Sequence, residues 1–463
     1  MYETKKIDGL RLDHAVAAMA SYSMGMRNTT LTQPDQLFAE AQAVLAGGVS
    51  ASMRLHPYLG RPLYVDRGEG PYLYGIDGKR YIDFNMSNGA ALLGHDHPAV
   101  KRAVLHGVEL GIITAAETPF HERLAARLVE IIPAAERVRF SSVGSEVTLV
   151  ALRIARQATG RTRYLKFDGH FHGLSEPWLY RRADPLDDAS AVVPSSGGVP
   201  VSGADDVVMA PWNDVAAFER AISAHGEDLA AVFCEPIHYN AGCIPPEPGF
   251  LELLRARCSE HGIVFVMDEV LSGFRTHLGG VQAHYGVTPD LTTHAKALAN
   301  GLPLASVSGR EELMLTLAPT GPVAHSGTYS GHLLSVLAAL ATLEELSQPG
   351  VYDRMNATAD AFYRDLQGVF DRAGIPARVQ GMGARFGIYF GITDPVRTWS
   401  DALDHDHELN RRFATGCFER GVYFHGYTRQ GPPGHAGFSL AHTDADFAET
   451  LSVAETVARG LVA

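Results

Sequence analysis

In the stretch TTHAKALANG, residues 292–301, one lysine keeps company with no fixed charge. Between Asp290 and Arg310 the only permanently charged side chain is Lys296, set among alanines, leucines, a glycine and Pro303. A lysine in such surroundings either lays its stem along them and sends its ammonium to water, or has a partner or a reaction to serve. Burial disfavours the charged amine, so a lysine held there is a nucleophile nearer neutral pH than a free one. A second charged group closes the apolar run GIVFVMDEV, which ends in Asp268, Glu269 and Val270. Period-2 geometry puts Asp268 and Val270 on the same face of a strand, so a carboxylate and a branched apolar group are expected to point together.

That combination suits a flat heteroaromatic ring. A carboxylate holds a pyridine nitrogen protonated while a valine packs on the ring face, and pyridoxal phosphate is the cofactor these groups suggest, with Lys296 forming a Schiff base to its aldehyde. The phosphate needs an anion cradle. In SSVGSEVTLVALRIARQATG, Gly144 and Ser145 stand at the head of an amphipathic helix, where unpaired N–H groups and the helix dipole favour an anion, although Ser145 also reads as a plain N-cap. Thr328 in HSGTYSGHLLSVLAAL offers a hydroxyl at the start of another helix. In FDGHFHG, Phe171 offers an aromatic face and His172 a polar neighbour.

The elements that must position these groups are legible as patterns. DQLFAEAQAVLA reads as a helix ending at Gly47 and Gly48, and LYVDRGEGPYLYGIDGKRYIDF alternates like hairpin strands with Gly and Asp turns. From about residue 98, helical patterns (PAVKRAVLHGVELG, HERLAARLVEII, EVTLVALRIARQATG) alternate with short apolar runs (RVRFSS, RYLKFDG, DVVMAP, LAAVFCEPI, GIVFVMDEV). This alternation predicts an α/β domain on a mainly parallel sheet, with functional loops at the strand C-termini. After SVLAALATLEEL come a helix, strands at GARFGIYFGI and GVYFHGY, and a closing helix. The expected organisation is an N-terminal arm with part of a small domain over 1–85, a large cofactor-binding domain over 86–335, and a C-terminal small domain over 336–463.

Composition bounds the partners. With 463 residues, 46% hydrophobic and 20% charged, the chain has the make-up of a globular protein with large cores. A formal net charge of −13 and no Lys/Arg run argue against a nucleic-acid or anionic-membrane surface, which needs a concentrated positive field. Small-molecule partners are expected instead. Cys234, Cys243, Cys258 and Cys417 show neither metal-ligand spacing nor a disulfide framework, which fits a reducing cytoplasm, and no metal is expected. The apolar stretch AVAAMASYSM near the N-terminus is short and preceded by Asp13 and His14, so neither a signal peptide nor a membrane span is expected.

Together the motifs carry a resemblance. GGVSASMR, YLYGIDGKRYIDF, LLGHDHP, VGSE, FDGHFHG, CEPI, NAGCIPPEPGFLELLR, DEVLSGFR, YGVTPDLTTHAKALANGLP, HSGTYSG and SLAHTDADF follow one another in an order that resembles class III, fold type I, pyridoxal-phosphate aminotransferases. Within that class the chain is most similar to glutamate-1-semialdehyde aminomutase and related amino-acid transaminases. The resemblance implies a large domain around a mainly parallel seven-stranded sheet, a small α+β domain built from both termini, and a homodimer with active sites at the subunit interface. It assigns Lys296 as the Schiff-base lysine, Asp268 to the pyridine nitrogen, Val270 and Phe171 to opposite ring faces, and Gly144 and Ser145 to the phosphate. Thr328 would reach the phosphate from the neighbouring chain, Glu235, Asn240 and His172 would support the cofactor, and Arg54 would bind a substrate carboxylate. The implied reaction moves an amino group between an amino acid and a keto acid or aldehyde by a ping-pong route; the alternatives are an intramolecular aminomutase and an amino-acid racemase or epimerase.

Departures from the family pattern bear on the substrate. Val143 stands where relatives carry Ser or Thr, and Phe171 where they carry a tyrosine. The aminomutase has a tryptophan at the position of Asn88 and a glutamate where this chain has Gly434 or His435. Those are substrate-pocket positions in the family, so a carboxylate-bearing amino substrate other than the semialdehyde is expected.

Overall fold

The computed structural model describes residues 33–56, 58–184, 186–187, 189–424 and 431–462. AVAAMASYSM, most of the expected N-terminal arm before residue 33, and the end of GVYFHGY lie outside the described residues. The chain divides into two compact units: one takes residues up to Arg67 with Leu73–Arg80, the other takes Gly68–Tyr72 and everything from Tyr81.

In the first unit a helix forms over Pro34–Val44, with Pro34 in its first turn, where a missing N–H costs nothing. Asp35 of that turn pairs with Arg61 at 2.7 Å. Alternation in LYVDRGEGPYLYGIDGKRYIDF gives strands at Val65–Glu69, Tyr72–Gly75 and Arg80–Asp83.

The second unit is built on a seven-stranded sheet. Its strands are β1 (Arg137–Ser141), β2 (Arg163–Phe167), β3 (Val207–Ala210), β4 (Leu229–Cys234), β5 (Val264–Asp268), β6 (Leu291–His294) and β7 (Ala305–Gly309). The order across the sheet is β1-β7-β6-β5-β4-β2-β3. β5 runs parallel to β4 and β6, and β2 parallel to β3 and β4, whereas β7 is antiparallel to both β1 and β6. Every residue of β4 and β5 is buried, because a parallel strand covered on both faces has no solvent side. β7, ASVSG, was not expected as a strand: Ser306 and Ser308 are fully buried there, and small polar residues carry no periodic hydrophobic signal.

Helices α1 (Gly144–Thr159) and α2 (Phe250–His261) cover the sheet. Val147, Val150, Ala151, Leu152, Ile154 and Ala155 bury one stripe of α1, and Gly160 ends it in the left-handed conformation at φ 69°. Further along come α3 (Leu333–Leu346) and the 23-residue α4 (Val351–Ala373), bracketed by Gly350 and Gly374. The expected strand in GARFGIYFGI is β9 (Arg385–Phe390), the middle of an antiparallel sheet between β8 (Ala377–Met382) and β10 (Ala436–Gly437). Val422–Tyr423 does not join it but pairs in parallel with the Arg80–Asp83 strand. The closing helix is α5 (Asp444–Val462). Among the described residues no helix is long and apolar enough to cross a membrane, and all four cysteines are free and buried.

Candidate active site

The C-terminal ends of β4, β5 and β6 and the N-terminus of α1 converge on one cavity of ≈ 300 Å³. Lys296, Asp268, Gly144, Ser145, Phe171, His172, Glu235, Asn240 and Val270 all line it. These residues come from five separate stretches of sequence, and sheet order alone makes them neighbours.

Asp268 is the last residue of β5, opposite Thr293 of β6. It is buried, with Oδ2 2.7 Å from His172 Nδ1 and Oδ1 accepting from Thr293 Oγ1 and the Val270 N–H, each at 3.0 Å. A carboxylate offers about four acceptor sites, so three such bonds fix its orientation and leave room for one more donor. Burial lowers the His172 pKa, against the opposing pull of the Asp268 carboxylate. Val270 lies beyond the end of the strand, so the period-2 argument does not place it. It turns toward Asp268 because its own N–H is held by that side chain.

Lys296 opens a short turn, Lys296–Ala299, directly after β6. Its φ of +45° is strained for a residue with a Cβ, and such strain is tolerated where surrounding structure enforces it. Its amine has no hydrogen-bond partner among the described residues. Burial lowers its pKa to about 8, reinforced by Arg275 and Arg385 and opposed by Glu235 and Asp268.

Gly144 and Ser145 are the first two residues of α1, so their N–H groups lack intrahelical partners. A Cβ at Gly144 would lie 3.0 Å from Val270 Cγ1, so glycine lets the helix start approach the valine. The FDGHFHG loop docks on the same helix turn. Thr148 Oγ1 donates to the His172 carbonyl at 2.6 Å, the Leu174 N–H donates to Ser145 Oγ at 3.1 Å, and a Cβ at Gly173 would meet that Oγ at 2.4 Å. Phe171 is about half exposed, and its N–H donates to Glu235 Oε1 at 2.7 Å. Glu235 also accepts from Asn240 Nδ2 at 2.9 Å. Burial raises the Glu235 pKa to about 8 despite those bonds.

The donor set fits pyridoxal phosphate group by group. An unpartnered amine answers an aldehyde, an oriented carboxylate with one free acceptor site answers a ring N–H, apolar side chains answer ring faces, and free helix N–H groups answer a phosphate.

Other expected residues are placed elsewhere. Thr328 is exposed and lines a different cavity with Glu117, His121, Arg139 and His325. Arg54 belongs to the first unit, exposed, with its guanidinium donating to Ser50 Oγ at 2.6 Å. Asn88 is exposed at φ +53° and donates from its backbone to Asn85 Oδ1 at 2.5 Å. His435 is buried, its Nδ1 and carbonyl both accepting from Arg385 Nη2. Thr293, Arg275 and Arg385 were not singled out in the sequence. Arg385 carries the signal that marks Lys296, a lone cation in an apolar run, and could have been found by it.

The pattern of the family Aminotransferase class-III matches residues 56–428. Among solved structures the chain is similar to an omega-transaminase from Sphaerobacter thermophilus, at 30% identity over 94% of this chain and 99% of that one, with a TM-score of 0.84. It is similar to a beta-phenylalanine aminotransferase from Variovorax paradoxus, at 28% identity over 97% of each chain, TM-score 0.82. A glutamate-1-semialdehyde-aminomutase from Pseudomonas aeruginosa PAO1 shares the fold, at 24% identity, 92% and 94% coverage and TM-score 0.81. With the family pattern spanning most of its length over this fold and this cavity, the chain belongs to the class-III aminotransferases, enzymes that work with pyridoxal phosphate.

Proposed function

We propose that the protein transfers an amino group from a carboxylate-bearing amino acid to a carbonyl acceptor, with Lys296 and Asp268 as its catalytic residues. The observation that carries this reading is the unpartnered Lys296 amine in the same cavity as an Asp268 carboxylate fixed from three sides. Pyridoxal phosphate, when bound, supplies a carbonyl that condenses with amines and a ring that accepts the electron pair left on the substrate carbon. Asp268 would hold a proton at the ring nitrogen, and His172 and Thr293 keep that carboxylate aimed. Val270 and Phe171, both lining the cavity, would bound the ring faces. Gly144 and Ser145 would hold the phosphate by backbone N–H groups, and Glu235 with Asn240 fixes the Phe171 backbone. Lys296, its amine neutral above a pH of about 8, takes and returns the proton at the substrate carbon.

The test is a half-reaction screen on the holoenzyme. An amino-acid donor alone should remove the cofactor's long-wavelength absorption, and a keto acid should restore it. Donors that drive exchange at the α-carbon without any spectral change would replace transfer by racemisation. Isomerisation of glutamate-1-semialdehyde should be poor, because the positions where the aminomutase carries tryptophan and glutamate are Asn88 and the Gly434–His435 pair, and His435 here faces a guanidinium.

Thr328 lies in a cavity of its own in this chain, which supports a role toward a neighbouring subunit's phosphate in a homodimer. Specific activity should then fall on dilution in step with dissociation measured by light scattering, and Thr328→Ala should weaken cofactor retention. Full activity in a demonstrated monomer would remove that assignment. Arg54 is assigned to a substrate carboxylate on the resemblance alone. Arg54→Ala should raise KM for carboxylate donors about tenfold, the loss of one charge-assisted contact, with cofactor affinity unchanged. An unchanged KM would dismiss Arg54.

A further inference from the structure

With no hydrogen bond among the described residues to hold its amine, Lys296 depends for its place on the backbone that carries it. That backbone belongs to the connection between β6 and β7, which pair antiparallel as far as His294 and Ser306. Beyond those two residues the sheet no longer holds the chain. The turn Lys296–Ala299 opens left-handed at Lys296, φ 45°, and is closed by Asn300, also left-handed at φ 47° and ψ 41°. Glycine would supply that closing conformation at less cost, because asparagine only tolerates it. What Asn300 adds is a side chain, and it is buried. Its Oδ1 accepts the Leu93 N–H at 2.8 Å and its Nδ2 donates to the Gly94 carbonyl at 2.9 Å, 207 and 206 residues away in sequence. Both ends of one amide engage one short stretch, a two-point contact that fixes distance and orientation together.

The two stretches joined in this way are walls of the same cavity. Lys296 and Gly301 line it on either side of Asn300, and Ala90 lines it from the stretch that leads into Leu93. Asn300 is not itself a lining residue, so its amide works from behind the wall. The stretch it grips is anchored in its own right. The Gly94 N–H donates to the Ala91 carbonyl at 3.2 Å, the Leu440 N–H to the Leu92 carbonyl at 2.8 Å, and the His95 N–H to the Gly70 carbonyl at 2.9 Å. Ala297, Leu298 and Ala299 share one buried apolar cluster with Leu92 and Leu93, which seats the turn without orienting it.

We propose that Asn300 is a positioning residue for Lys296: by gripping Leu93 and Gly94 its amide sets where the lysine's turn stands in the cavity, and so where the amine meets a reacting carbon. The inference rests on the aminotransferase reading for the role of the amine, and deepens it. A reacting group displaced by about an ångström loses on the order of 100-fold in rate, so two hydrogen bonds outside the cavity act on the chemistry within it. Without them the turn keeps its apolar seat but is free to shift, and the amine gains water. Burial, with Arg275 and Arg385 and against Glu235 and Asp268, then no longer lowers its proton affinity as far.

The test follows Lys296 itself in the full-length protein freed of cofactor, by acetylation with acetic anhydride across a range of pH and counting of the Lys296 peptide by mass spectrometry. The wild-type midpoint, with the amine's pKa lowered to about 8, is the reference. Asn300→Gly keeps the left-handed backbone and removes both hydrogen bonds, and its midpoint should rise by about one unit, a tenfold gain in proton affinity. Asn300→Ser, which keeps a single polar atom, should move the midpoint the same way by less, and decides the matter should the glycine variant fail to fold. Phe218→Leu, in the separate core around Trp212, lowers Tm without touching the turn and should leave the midpoint in place. In the holoenzyme, Asn300→Gly should slow the donor half-reaction about tenfold at saturating donor while the donor's apparent Kd stays within about twofold. A wild-type midpoint in the folded Asn300 variants, or an equal shift in Phe218→Leu, overturns the proposal. Because the labelling needs no turnover, it can fail while the half-reaction screen succeeds, and the reverse.

Discussion

Lys296→Ala should abolish turnover while leaving the protein folded, with a loss on the order of 10⁴-fold or more. On the proposed assignment two functions leave together: the amine that anchors the cofactor's carbonyl, and the base that carries the proton at the substrate carbon. No neighbour substitutes for it. The nearest buried cations, Arg275 and Arg385, keep their protons near neutral pH even with their pKa values lowered to about 10 and about 9. Stability should hold or rise, because the substitution removes a half-buried amine that has no hydrogen-bond partner among the described residues, together with its repulsion by those two arginines. The checks are single-turnover rate, cofactor absorption and Tm. An active variant with an unchanged spectrum would refute the assignment of Lys296.

Asp268→Asn should cost on the order of 10³ in rate with cofactor retained, comparable to removing a preorganised charge-stabilising group from an active site. The amide keeps the shape of the carboxylate, and one of its two polar atoms can still accept. Its NH₂, however, now faces His172 Nδ1 or the Thr293 hydroxyl, both of which the carboxylate had as partners. The larger effect is the loss of negative charge, without which the ring nitrogen no longer holds its proton and the electron pair has a poorer sink. His172→Ala separates the two contributions: it keeps the charge, frees the carboxylate to rotate, and should lose less. A twofold loss in Asp268→Asn would show that the carboxylate does not face the ring nitrogen.

Much of this site was legible without coordinates. A charged residue inside an apolar run is improbable unless something satisfies it, and Lys296 and Asp268 both stood out on that ground. The helix start at Gly144 and Ser145 was legible through the periodic stripe that follows, although the sequence left Ser145 open as a plain N-cap. The same patterns placed five of the seven sheet strands, β1 to β5, to within a few residues by their apolar runs.

What stayed hidden had no local signature. β7 has too few apolar side chains to alternate and forms a strand because β1 and β6 leave a slot for it. Val270 reaches the cavity through a turn fastened by Asp268, where strand periodicity had already stopped. Thr328 and Lys296 look like members of one site in sequence, yet in one chain they line separate cavities. The meeting of Arg275 and Arg385 at Gly89 joins residues far apart in the chain, and neither forms an ion pair among the described residues. Period and capping are properties of neighbours along the backbone, so sequence determined the elements and singled out the lysine and the aspartate that line the cavity. Which charges face one another, and which go without a partner, is a property of packing at long range, and only the tertiary structure decided it.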